Sequence, residues 1–168
     1  MSGAIAARRQ GKVNSNDVDA HPVEAARKQA MDVLASATAR ELAGAWECWT
    51  DRPDVAPLRG PETGLVMIRG RMGGGGAPFN FGEATVTRAT VRLSNGQVGH
   101  ANALGTDKEK VRHAAIFDAL WQNEDTRRLV EEHVVVPIRQ RLEAQDKQCR
   151  EETAATRVDF FTMVRGED

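Results

Sequence analysis

The chain has 168 residues, with 23 lysines and arginines against 24 acidic residues. That length suits one domain with a substantial core, and the near-neutral balance excludes broad electrostatic binding to nucleic acid or to an anionic membrane. Its two cysteines, Cys48 and Cys149, lack CxxC spacing. They exclude a disulfide scaffold or a zinc ribbon and point to a reducing cytoplasm.

Residues 1–20 mix alanine with arginine, asparagine and aspartate and show no apolar period. They read as a disordered tail rather than a signal peptide, which leaves 21–168 as a single domain. No run of about 18 apolar residues exists, so no membrane-spanning helix is expected. Pro22 stands at an early helical position ahead of a helix over 23–35, with Ala26, Ala30, Val33 and Leu34 on one side. Thr38 and Glu41 have the spacing of a capping box, so a second short helix carries Leu42, Ala45, Trp46 and Trp49. Residues 51–61 contain three prolines and read as a loop or an irregular edge leading into strands.

The pattern then changes to alternation. Over 64–72, Val66, Ile68 and Met72 fall on one face and Leu65, Met67, Arg69 and Arg71 on the other. A threonine- and valine-rich strand over 84–93, the tight turn Ser94-Asn95-Gly96 and a third strand over 97–104 complete an antiparallel meander. Asp107 caps a helix running to about Gln122, with Val111, Ala115, Phe117, Leu120 and Trp121 as core candidates. A helix from Thr126 meets Val134-Val135-Val136 and Pro137; proline should end or kink it and start another over 137–153. The last helix has only a thin stripe, Ile138, Leu142 and Cys149. The apolar run over 158–164, VDFFTMV, reads as a closing strand. The fold class is therefore α+β: an antiparallel sheet, meander plus C-terminal strand, packed with N-terminal and central to C-terminal helices.

The residues offer few chemical constellations. The glycine run 73–76 fits neither GxxxxGK[ST] nor GxGxxG, and its flanks are strands, so it reads as a corner between strands more readily than as a phosphate loop. His21, His100, His113 and His133 lack HxxxH or HExxH spacing, and no metal site is expected. No catalytic residue can be singled out. Strand alternation puts Arg69 and Arg71 on one face of their strand and Arg88 and Arg92 on one face of theirs. If the register aligned all four, the face would be a solvated surface, a contact for an acidic partner or an anion site. Arg69, Arg71, Gly73, Gly74, Arg88 and Arg92 are thus the candidate anion or partner contacts.

The segments ETGLVMIRGRMGGGG, GEATVTRATVRLSNGQVGH and RVDFFTMVRGED together resemble the PhnG family, a subunit of the bacterial carbon-phosphorus lyase core complex. The resemblance spans roughly residues 25–168; it departs from the family pattern at Gly75, over 100–103 and along the polar helix near 140–153. It implies work on phosphonates. In that family the G subunit acts with H, I and an ATPase-like L subunit to turn MgATP and an alkylphosphonate into ribose 1-alkylphosphonate 5-triphosphate and adenine. The nucleosidase activity is associated with the I subunit, and J carries the later radical chemistry. The resemblance therefore implies an obligate hetero-oligomer with H, I, J and L types, free of nucleic acid and membrane and cytoplasmic. The chain would not be catalytic alone and would bind no cofactor by itself, MgATP being the substrate of the complex. It also makes the terminal segment a candidate subunit interface, through Asp159, Phe160, Phe161, Met163 and Arg165. Two other roles remain open: an interaction subunit without ligand contacts, and an independent phosphate- or nucleotide-binding protein.

Overall fold

The computed structural model describes residues 22–72 and 75–156. Helices α1 (Pro22–Ser36) and α2 (Ala39–Glu47) precede three strands, β1 (Val55–Arg71), β2 (Pro78–Leu93) and β3 (Val98–Leu104). Helix α3 (Lys108–Gln122) follows, then α4 (Glu124–Val130), a π-helical turn (Glu131–Val135) and α5 (Val136–Ala155). The sheet is an antiparallel meander in the order β1-β2-β3, and one of its faces carries the helices. The terminal run 158–164 and the tail 1–20 lie outside the described residues.

Helix α3 is the centre of the core. Ala114, Ala115, Ile116, Phe117, Ala119, Leu120 and Trp121 are all buried, so the helix is enclosed on nearly every side by β2, β3, α1 and α4. The inward face of β2 alternates as a half-buried strand should, with Thr87, Ala89, Val91 and Leu93 buried and Arg88 and Arg92 exposed. Gly99 on β3 is where helix and sheet approach most closely. A Cβ there would overlap the Ala115 carbonyl oxygen and stand 2.6 Å from the Ala119 nitrogen.

Local signals act where the chain needs them. The Thr38 hydroxyl accepts from the Glu41 N–H at 3.3 Å and the Glu41 carboxylate accepts from the Thr38 N–H at 2.7 Å, closing the capping box of α2. Asp107 caps α3 by accepting from the Lys110 N–H. The turn after β2 places Gly96 at φ +87°, a region that glycine enters without the Cβ penalty.

Three expectations are refined. Of the loop or irregular edge expected over 51–61, the structure shows the irregular edge from Val55, where β1 begins and its register slips between Pro57 and Arg59 and again between Arg59 and Glu62. The prolines are tolerated there because β1 is an edge strand, whose outward side needs no ladder donor. The interruption expected at Pro137 is present: α4 ends at Val130 and α5 starts at Val136 with the proline in its first turn, while a π turn between them, flanked by right-handed helical angles at Val130 and Val136, carries the chain through. The wider turn accommodates a ring that would clash with the carbonyl four residues earlier in a regular helix. Finally, Ala26 is exposed and the inner side of α1 is Arg27, Ala30 and Leu34, because Arg27 reaches a buried acid.

That acid is Asp118, 1% exposed in the middle of α3. Arg27 holds it through two bonds, Nε to Oδ1 at 2.9 Å and Nη2 to Oδ2 at 2.8 Å. The His100 N–H of β3 donates to the same Oδ2 at 2.8 Å. One carboxylate thereby ties α1, α3 and the edge of the sheet together, and its charge is matched as a buried charge must be.

Candidate functional site

β1 and β2 are far longer than β3, and that mismatch makes the most unusual feature of the chain. Pairing between β2 and β3 stops at Val86 and Leu104, whereas β1 and β2 stay paired as far as Arg71 and Pro78. Residues 65–71 and 78–85 therefore project past the sheet as a two-stranded arm, about 24 Å long at ~3.4 Å per residue. Its root is fixed. The Thr87 hydroxyl donates to the Gly105 carbonyl at 2.7 Å and lies 2.9 Å from the Thr63 hydroxyl, and the Gly105 N–H donates to the Thr85 carbonyl at 2.9 Å.

Directly paired residues share a face of the ribbon. On one face lie Val66 opposite Ala84 and Ile68 opposite Gly82, with Leu104 and Gly64 flanking Val86 at the root. Towards the tip, a Cβ on Gly70 would sit 3.8 Å from both Phe79 and Phe81, whose rings pack edge to face at 6.4 Å. This face has no charged residue, and it is bare: Phe81 is 74% exposed and Leu104 75%. The opposite face carries Leu65, Met67 and Glu83 and then, by strand alternation, Arg69 and Arg71. The alternation read from the sequence is correct, but neither face is covered by the other described residues.

The expected four-arginine face does not form. Arg69 pairs with Asn80 and Arg88 with Glu62, so the two arginine pairs stand about 26 Å apart along the ribbon at ~3.3 Å per residue. Arg88 donates to Glu62 at 2.8 Å, and Arg59 holds the same carboxylate. Exposed Arg92 lies further towards the end of β2, opposite Ala56 and Val98. Arg69 and Arg71 form no salt bridge among the described residues. Alternation alone does not say which residues lie opposite one another, which is why the sequence left a single cluster open. Of the glycine run, Gly75 and Gly76 lie between the end of β1 and the start of β2, and the Gly76 N–H donates to the Met72 carbonyl at 3.1 Å. Gly73 and Gly74 themselves lie outside the described residues, as do Asp159, Phe160, Phe161, Met163 and Arg165.

A second concavity, of about 880 Å³, opens between α2 and the α4 to α5 segment. Trp49, Leu129, Val134 and Ile138 line it, with Arg40, Asp51, Asp125 and His133 among its polar residues. Glu41 sits on its wall. Burial works to raise this carboxyl, but hydrogen bonds from Arg141 and Thr38, together with the Arg141 charge, outweigh burial and hold it below the usual carboxylate range. Arg141 Nε donates to Glu41 at 2.6 Å, joining α2 to α5. His113 is buried near Trp46, and burial first, then the Arg112 charge, keeps it below the ordinary histidine value. Among the described residues no group of three or more His, Cys, Asp or Glu converges as a metal site would. No helix among them is long and apolar enough to cross a membrane.

Fold and surface thus define a class: a small α+β protein whose described residues close one core around α3 and whose longest hairpin reaches out from the side of the sheet, uncovered by them. The comparisons specify it further. A family model described as phosphonate metabolism protein PhnG matches residues 25–166. A curated relative from Rhizobium meliloti (strain 1021), named alpha-D-ribose 1-methylphosphonate 5-triphosphate synthase subunit PhnG, is 62% identical over 144 residues, covering 86% of this chain and 92% of the relative. The chain belongs to the PhnG family.

Proposed function

We propose that the protein is a subunit of a ribose 1-methylphosphonate 5-triphosphate synthase and contributes to phosphonate breakdown by completing that assembly. Its partners are subunits of the H, I and L types, with J acting on the product, and the whole works in the cytoplasm on MgATP and an alkylphosphonate. The observation that carries this reading is the arm. Soluble monomers rarely leave a contiguous apolar face of this kind in water, and such faces mark protein contacts. The strong likeness to a chain named as a synthase subunit supplies the chemistry that the assembly performs.

The test is reconstitution. Adenine release from MgATP and methylphosphonate is followed with the other subunits present, with and without this chain. Omission should abolish release, and adding the purified chain should restore it. Adenine release by this chain alone, or full activity without it, would refute the proposal. A second reading, direct contact with the triphosphate, now rests on Arg69 and Arg71 beside the glycine corner, since Glu62 already neutralises Arg88.

A further inference from the structure

We infer that the β1–β2 arm is gripped on both faces by a cleft in another subunit, with an apolar wall against Val66, Ile68, Phe79 and Phe81 and carboxylates opposite Arg69 and Arg71. This rests on the reading of the chain as a synthase subunit and names the chemistry of the surface that receives it.

Three observations select this occupant. The first is the placing of glycine. Gly64 and Gly82 lie in strands, at conformations that do not require glycine, and a Cβ added at either would meet nothing within 4 Å. The packing of the described residues therefore gives no reason for their lack of a side chain. Glycine within a strand marks a place where another chain approaches closely, and these two flatten the face that carries Val66 and Ile68.

The second is area. The exposed parts of Val66, Ile68, Phe79, Phe81 and Leu104 come to roughly 500 Å², short of the ~800 Å² per partner that a stable interface buries. Enclosing the opposite face as well, through Leu65 at 66% exposed and Met67 at 48%, brings the arm to about that size. A cleft suits these areas better than contact with one flat surface.

The third is charge. Residues 65–72 and 75–85 contain Arg69, Arg71 and Glu83 as their only charged side chains, and the two arginines form no salt bridge among the described residues. Clustered guanidinium groups at a desolvated contact need carboxylates to meet their donors. A second copy of this chain would set arginine against arginine if the arms stacked face to face. The charge therefore favours an acidic cleft on a different protein.

The test uses full-length chain and the other synthase subunits, co-expressed and purified as a complex. Hydrogen exchange at residues 65–71 and 78–85 should slow at least tenfold in the complex relative to the free chain. Gly82→Val places a branched side chain in open space, so the free chain should melt within about 2 °C of wild type while its affinity for the other subunits falls at least tenfold. Arg69→Glu with Arg71→Glu should weaken binding to a similar degree and remove most of its dependence on salt. Several results would overturn the inference: arm amides unprotected inside an active complex, wild-type affinity of Gly82→Val, a discrete homodimer whose arm is protected without the other subunits, or protection of the tip by MgATP alone. The first two leave the synthase reading intact. Loss of that reading would show instead as activity that does not need this chain.

Discussion

Replacing Gly99 with alanine tests whether the contact between sheet and central helix is as close as described. The added methyl would overlap the Ala115 carbonyl oxygen and stand 2.6 Å from the Ala119 nitrogen and 2.8 Å from the Ala119 Cβ. The obstructing atoms are backbone and the first carbon of a side chain, so no flexible group can swing away. α3 would have to lift from β3 by somewhat over an ångström, loosening its contacts under Val111, Ala115 and Ile116, all buried. Overpacking usually costs 1–3 kcal/mol, and a site that can relax only by moving a helix belongs at or above that range, about 3–5 kcal/mol. At 2–4 °C per kcal/mol for a domain of this size, the midpoint should fall by roughly 6–20 °C. Far-UV circular dichroism of the wild type and Gly99→Ala, with Gly82→Ala as the control in open space, measures it. A Gly99→Ala midpoint within 2 °C of wild type would show that helix and strand are not packed as closely as the structure places them.

Arg27→Ala should cost about 2–4 kcal/mol, less than the full cost of stranding a buried charge because the arginine side of the pair is partly solvated, and guanidinium unfolding reads it directly. Thr87→Val removes the donor to the Gly105 carbonyl at the arm root; it should cost about 1–2 kcal/mol and speed hydrogen exchange along the arm more than in α3. Two pH effects have defined signs. The depressed Glu41 carboxyl adds stability that is present above its ordinary value of 4.5 and lost as pH falls through its lower folded value, so Glu41→Gln should flatten that acid limb. His113 is also depressed, so the unfolded chain binds its proton first. Stability should therefore fall as pH drops from about 6.5 towards the folded value, and His113→Gln should remove that slope from a series of melts.

Much of the fold was legible in the sequence because its signals are local. Thr38 with Glu41, Asp107, and the Asn95-Gly96 turn each act within a few residues, and period located the core side of α3 and put Arg88 and Arg92 on one face of β2. The arginines show where such reading stops. Alternation tells which side of a strand a residue takes but not which residue lies opposite, and the hairpin register sets Arg69 against Asn80 and Arg88 against Glu62, far apart along the ribbon. Asp118 drew no attention within a helix of mixed character, since its partners Arg27 and His100 lie 91 and 18 residues away. The open space around Gly64 and Gly82 likewise exists only once the strands are paired. The sequence by itself determined the elements and the family, because caps, turns and periodicity are properties of neighbouring residues. Only the tertiary structure decided that two strands outrun the third and leave an apolar arm in water, because the length of a sheet depends on where distant segments stop pairing.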